Sequence, residues 1–169
     1  MAERHDSVRT LGPATRFIFQ GGEAARDGAG RGFGVALPTI ACRTEVSGGR
    51  AALWLGPDEW LLLAPAGEGQ AVLAALENAL AGLPHSLVDV THRQVALSVS
   101  GSAARELLAS GCPLDLAPES YPVGMCTRTL FAKAEVVLWR RSAEEYHLET
   151  GRSFSGYVLG WLREAQRGG

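Results

Sequence analysis

The feature that most constrains this chain is a pattern that occurs twice. Leu53-Trp54, a turn, Trp60 and Leu62, then Val72, Leu73 and Leu76 recur as Leu138-Trp139, a turn, Tyr146 and Leu148, then Val158, Leu159 and Leu162. The offset is 85 residues before the turn and 86 after it, which reads as a one-residue turn insertion. In each copy two strand-length apolar runs flank a turn, and an amphipathic helical stretch follows. A hairpin alone is marginal in water; the helix that follows it can cover its apolar face. Two such units imply an α+β fold of two similar lobes, each an antiparallel sheet covered by helices. The matched spacing through the helix points to an ancient duplication. The 169 residues then form a single two-lobed domain, lobe one over about 15–84 and lobe two over about 85–167.

Local signals place the elements. Gly56-Pro57-Asp58 separates the runs 51–55 and 59–64, and Pro65 ends the second. Residues 69–81 put Val72, Leu73, Leu76, Ala79 and Leu80 on one helical face, and Gly82 and Pro84 stop that helix. Strands are expected at 86–91 and 94–100, and a helix over 102–109 that Gly111 and Pro113 close. A loop rich in Pro, Gly and Asp spans 112–126, followed by strands at about 127–132, 134–140 and 145–150. The last helix starts near Ser153 and is expected to bury Phe154, Val158, Trp161 and Leu162, with Arg163 and Arg167 in its last turns. Upstream, 16–19 reads as a short strand and 1–14 as a flexible or partner-ordered arm. Glycines alternate at 28, 30, 32 and 34, but Phe33 and Val35 stand where a G-x-G-x-x-G loop needs glycine. The stretch 21–34 is therefore read as a mobile surface loop.

Charge and chemistry narrow the function. A net charge of −2 with scattered arginines argues against nucleic-acid binding. Met1–Thr10 is polar, unlike a secretory signal, and the apolar runs are too short to span a bilayer, so a soluble cytoplasmic protein is expected. Cys42, Cys112 and Cys126 form no C-x-x-C pair and no metal-ligand spacing with histidine, which suits structural thiols. A nucleophilic site would draw on Cys112 or Cys126 with His85, His92 or His147. Cys112, however, follows a helix instead of starting one, where the dipole would lower its pKa. The one carboxylate pair to weigh for acid–base work is Asp89 with Asp115. Asp89 is read as bonding a neighbouring turn or pairing with Arg93, and His92 as a strand-end polar contact. Trp54, Trp60, Trp139 and Trp161 fall at hairpin and helix positions, where core packing is the first account and partner anchoring the second. No catalytic, cofactor-binding or metal residues are assigned. A chain that is 46% hydrophobic, with a good core and no catalytic set, reads as a subunit of a larger enzyme assembly.

Four motifs carry a resemblance. Ser86-Leu-Val-Asp-Val-Thr-His-Arg-Gln94, Gly111-Cys-Pro-Leu-Asp-Leu116, Phe131-Ala-Lys-Ala-Glu-Val-Val-Leu-Trp139 and Arg152-Ser-Phe-Ser-Gly-Tyr157 with Trp161-Leu162 resemble the gamma subunit of heterotetrameric sarcosine oxidase, over about residues 50–165. Residues 86–165 are also similar, more distantly, to the first part of the folate-binding fold of the glycine-cleavage aminomethyltransferase. That transferase carries an Asn-Asp pair after the helix like 102–110, and its Asp takes part in folate chemistry. Here the stretch is Cys112-Pro113-Leu114-Asp115, without the Asn and with Asp115 displaced, so the catalytic role is not carried over.

The resemblance implies a non-catalytic subunit that holds no cofactor. Its partners would be the alpha, beta and delta subunits, which carry FAD, FMN, NAD and tetrahydrofolate. The complex would convert sarcosine to glycine, pass the one-carbon unit to tetrahydrofolate and reduce oxygen to hydrogen peroxide, and this chain would stabilise the largest subunit. Two other readings stay open: a stand-alone folate-binding or one-carbon transfer protein using Asp89, His92, Arg93 and Asp115, and a homo-oligomer using the fold as an interaction module. Leu114, Leu116, Tyr121, Val123 and Met125 in the 112–126 loop are the expected partner surface, with packing onto their own core as the equal alternative.

Overall fold

The computed structural model describes residues 7–168. The elements in chain order are β1 (Val8–Thr10), β2 (Ala14–Gly21), α1 (Glu23–Phe33), β3 (Thr44–Ser47), β4 (Arg50–Gly56), β5 (Glu59–Pro65), α2 (Gly69–Ala79) and β6 (His85–Asp89). They continue with β7 (Gln94–Ser100), α3 (Ala104–Ala109), β8 (Cys126–Phe131), β9 (Ala134–Ser142), β10 (Glu145–Gly151) and α4 (Arg152–Gly168). Two antiparallel five-stranded sheets result, ordered β3-β4-β5-β2-β6 and β8-β9-β10-β7-β1. The described residues divide into two compact units: Pro13–His92 is lobe one, and residues 93–168 with residues 7–12 are lobe two.

The two lobes are the same structure built twice, and each repeat lends its first strand to the other. β1 precedes β2 but pairs with β7 of lobe two; β6 precedes β7 but pairs with β2 of lobe one. Two expectations change as a result. The strand near residue 86 closes lobe one instead of opening lobe two, because Leu87 packs against the lobe-one core. Within the expected arm over 1–14, Val8–Thr10 is a strand whose Val8 is fully buried in the lobe-two core, while residues 1–6 lie outside the described residues.

Strand register also corrects the repeat. Leu62 pairs with Ala52, and Leu148 pairs with Leu138, so both strands of the hairpin repeat at 86 with no insertion. Even the register shift beside the turn recurs at that offset, Gly56 facing Glu59 and Ser142 facing Glu145. The Leu-Trp match at 85 is out of register by one residue, which in a strand means opposite faces. Trp54 packs toward the helix-covered core of lobe one, whereas in lobe two Leu138 does so and Trp139 lies on the other face. Further bonds repeat as well: the Gly21 amide donates to the Asp58 carbonyl at 3.0 Å, and the Gly101 amide to Glu144 at 2.9 Å.

Each core is sheet against helix. Phe17, Phe19, Trp60, Leu62, Val72 and Leu76 fill lobe one; Leu97, Val99, Tyr146, Leu148, Val158 and Leu162 fill lobe two. Every such fully buried side chain contributes about 1.5–3 kcal/mol of apolar transfer.

The glycine-rich stretch 21–34 is not a surface loop but helix α1. Its glycines look like breakers when read singly, yet two of them are packing positions. A Cβ on Gly28 would stand 3.0 Å from the Ala79 carbonyl oxygen, and one on Gly32 2.8 Å from that of Ala75. Gly28 and Gly32 therefore let α1 lie backbone-close on α2. Gly34 (φ 79°) ends α1 as a left-handed cap, its amide bonding the Gly30 carbonyl.

Candidate functional site

The residues weighed for chemistry are each engaged in local work. Cys112 follows α3 and sinks into the lobe-two core, where burial raises its thiol pKa against the lowering effect of bonds to Leu114 and Thr129. A thiol held neutral in apolar surroundings is a poor nucleophile. Cys126 is fully buried on β8, opposite Trp139. His147 lies opposite the same Trp139 from β10, so the indole strand separates thiol and imidazole by two strand spacings, roughly 10 Å.

His147 instead has an acid. Its Nε2 is 2.7 Å from Glu149 Oε1, and both side chains are largely shielded. Ser98 is the cross-strand neighbour of His147 on β7, which puts a serine, a histidine and a glutamate on one sheet face. The trio lacks the geometry of a nucleophile: Ser98 is 1% exposed, and its hydroxyl has no hydrogen-bond partner among the described residues. The same face carries Trp139, whose ring lies 5.6 Å from His147 and under the Arg141 guanidinium at 5.2 Å. Alternation along β10 could have flagged the His147–Glu149 pairing; the place of Ser98 follows only from register.

Asp89 and Asp115 belong to different units, and each holds its own turn. Asp89 Oδ1 accepts the Thr91 amide at 2.8 Å, while the Thr91 hydroxyl accepts the Arg16 amide at 3.0 Å. Asp115 accepts the Ser120 hydroxyl at 2.6 Å and the Ala117 amide at 3.0 Å. Those two bonds, Ser120 first, and then the charge of Arg105 hold its carboxyl below the ordinary range. His92 and Arg93 are exposed beyond β6, and His85 is exposed with its ring stacked near Phe19. Among the described residues no three His, Cys, Asp or Glu side chains converge as metal ligands.

The 112–126 loop folds inward. Leu116 and Tyr121 are buried, Leu114 and Met125 pack against the same core, and only Val123 of the expected apolar surface is open. The Tyr121 hydroxyl donates to the Leu138 carbonyl at 2.6 Å, and Arg140 donates to the carbonyl of Tyr121 at 2.8 Å. Between the loop and α3 lies an open depression of about 440 Å³ lined by Arg105, Glu106, Leu114 and Asp115. Exposed aromatic side chains lie on α4 instead. Phe154 and Trp161, expected in the core, are 46% and 40% exposed, whereas Val158 and Leu162 are the α4 residues buried in the core. Among the described residues no helix is long and apolar enough to cross a membrane.

The sequence and the fold both have relatives among known proteins. The chain is 35% identical over 146 residues to sarcosine oxidase subunit gamma of Corynebacterium sp. (strain P-1), covering 86% of this chain and 70% of that one. The chain spans 60–70% of the length of the curated relatives it matches. Among solved structures it superposes on a chain of heterotetrameric sarcosine oxidase from Corynebacterium sp. U-96, in complex with pyrrole 2-carboxylate, with a TM-score of 0.87 at 30% identity, over 94% of this chain and 82% of that one. Aminomethyltransferase T from Bartonella henselae shares the fold alone, with a TM-score of 0.70 at 14% identity, over 92% of this chain and 44% of the transferase. Residues 22–167 match the sarcosine oxidase, gamma subunit family, and the chain belongs to that family.

Proposed function

We propose that this chain is the non-catalytic gamma subunit of a heterotetrameric, tetrahydrofolate-linked sarcosine oxidase. In that role it stabilises the largest subunit, while alpha, beta and delta subunits hold FAD, FMN, NAD and tetrahydrofolate. The assembly converts sarcosine to glycine, passes the one-carbon unit to tetrahydrofolate and reduces oxygen to hydrogen peroxide. The observation that carries this reading is the agreement of the fold, over 94% of the chain, with a chain of a heterotetrameric sarcosine oxidase. The state of the candidate groups supports it: the Cys112 thiol is buried and its pKa raised, and both Asp89 and Asp115 are engaged by their own turns.

The depression beside α3 does not support the alternative of a folate site at that place. A pterin needs a deep pocket with an acid facing its amino edge. The depression beside α3 is open, and its acid, Asp115, is bonded to Ser120 and Ala117. Two measurements separate the readings. The isolated chain should show no flavin absorbance and release no peroxide from sarcosine; turnover by the chain alone would reject the non-catalytic role. Calorimetric titration with tetrahydrofolate should give no heat, and a saturable isotherm would favour the folate-binding alternative.

A further inference from the structure

The exchange of first strands between the repeats is one exchange made twice, down to single pairs and bonds. Val8 of β1 faces Val99 on β7, and Leu87 of β6 faces Phe19 on β2. The Leu11 amide donates to the Ala96 carbonyl at 2.8 Å, and the Val90 amide donates to the Arg16 carbonyl at 3.0 Å. The donated strands thus repeat at an offset of 79 (Val8 to Leu87, Leu11 to Val90), and the receiving strands at 80 (Phe19 to Val99, Arg16 to Ala96). Val8 is fully buried in the lobe-two core, and Leu87 packs against the lobe-one core.

Chain connectivity alone does not force this arrangement. Residues 11–13 join β1 to β2, and residues 90–93 join β6 to β7. Links of this length commonly close a hairpin between the strands they join. The neighbours of β2 are β5 and β6, so a β1 folded back on β2 would take the edge that β6 holds. By the same logic, a β6 folded back on β7 would take the edge that β1 holds. Each edge therefore has two candidate occupants within this chain, and at both edges the strand of the other repeat is the one in place. Matching choices at two equivalent edges are the signature of a strand-exchanged dimer.

We propose that the edges of β2 and β7 are equivalent strand-binding surfaces, each fitted to the first strand of a second repeat. The chain is then a strand-exchanged dimer of repeats, fused through residues 80–84. This holds for the chain on its own, whatever assembly it enters. The fusing link is dispensable once the strands have exchanged, whereas neither half is complete alone: residues 1–82 lack β6, and residues 83–169 lack β1. The link is also open to change, since Gly82 stands at φ 77° with nothing within 4 Å of a Cβ.

The test is a protease recognition site inserted after Gly82 of the full chain and cut in the folded protein. The two halves should elute together at the size of the uncut chain, with a melting temperature that rises with protein concentration. The amides of Leu11 and Val90, whose bonds now join one half to the other, should exchange with solvent at least about 100-fold more slowly than in an unfolded chain. Co-expressing residues 1–82 and 83–169 as separate chains gives the same readouts if the inserted site itself disturbs folding. Halves that part and each stay folded would mean that the first strands fold back as hairpins. Halves that stay together while the Leu11 and Val90 amides exchange freely would place the attachment elsewhere. Halves that unfold both on cutting and on co-expression would show that the link is required. Each of these three results overturns the proposal.

Discussion

Replacing Gly32 with alanine asks whether the glycines of α1 are packing devices, as the α1–α2 geometry requires. In a helix interior the change gains about 1 kcal/mol from propensity alone. At position 32, however, the added Cβ would lie 2.8 Å from the Ala75 carbonyl oxygen and 2.9 Å from the Ala79 Cβ. Optimal heavy-atom contact is about 3.5–4.0 Å, so α1 must retreat from α2 by roughly 0.6 Å or more. Overpacking of that kind costs about 1–3 kcal/mol, which outweighs the propensity gain and leaves a net loss of about 1 kcal/mol. Gly160→Ala is the same chemical change where nothing lies within 4 Å, so only the propensity gain of about 1 kcal/mol remains. The two variants should therefore shift the urea midpoint of the isolated chain in opposite directions, about 2 kcal/mol apart, with unchanged m-values. A Gly32→Ala variant stabilised as much as Gly160→Ala would refute the packing account.

Three further outcomes follow from groups placed above. In the native chain a thiol reagent should modify half-buried Cys42 first, and Cys112 and Cys126 only at the rate of unfolding; equal rates would contradict the burial of Cys112. The pKa of Asp115 is lowered, so its contribution is present above the ordinary value of 3.8 and is lost as pH falls through the lowered pKa. The Ala117 amide resonance should therefore titrate below pH 3.8 in the wild type and stay flat in Asp115→Asn; identical profiles would remove Asp115 as the loop anchor. Val8→Asp puts an unpaired carboxylate into a fully buried strand position and should cost more than about 3 kcal/mol, with near-UV signals of lobe two lost first. A neutral effect would mean that β1 is not part of that sheet.

Much of the fold was legible because periodicity and turn chemistry are local. The hairpin around Gly56-Pro57-Asp58 and the helix carrying Val72 and Leu76 form as the spacing predicts. What failed needed non-local knowledge. The glycines of α1 read as loop residues until the backbone of α2 is known to lie against Gly28 and Gly32. The strand at His85–Asp89 could be assigned to a lobe only through its pairing with β2. The Leu-Trp match misled because a recurring dipeptide says nothing about which face a strand shows, and register places it one residue off. At the candidate site, Cys112 was legible as a poor nucleophile from its position after a helix. The inward fold of Leu116 and Tyr121, by contrast, depends on the Tyr121–Leu138 and Arg140–Tyr121 bonds, which no spacing rule anticipates. Phe154 and Trp161 were assigned to the core because they share the helical period of Val158, but they lie on the flank of α4 and stay 46% and 40% exposed.

The central claim is that this chain works as a subunit and not alone. Affinity purification of the tagged full chain from cells producing the three companion subunits tests it directly. A stoichiometric complex that oxidises sarcosine, from which the isolated chain differs in having no flavin spectrum, is the predicted result. Recovery of the chain free of the companions, as monomer or homo-oligomer, would contradict the account.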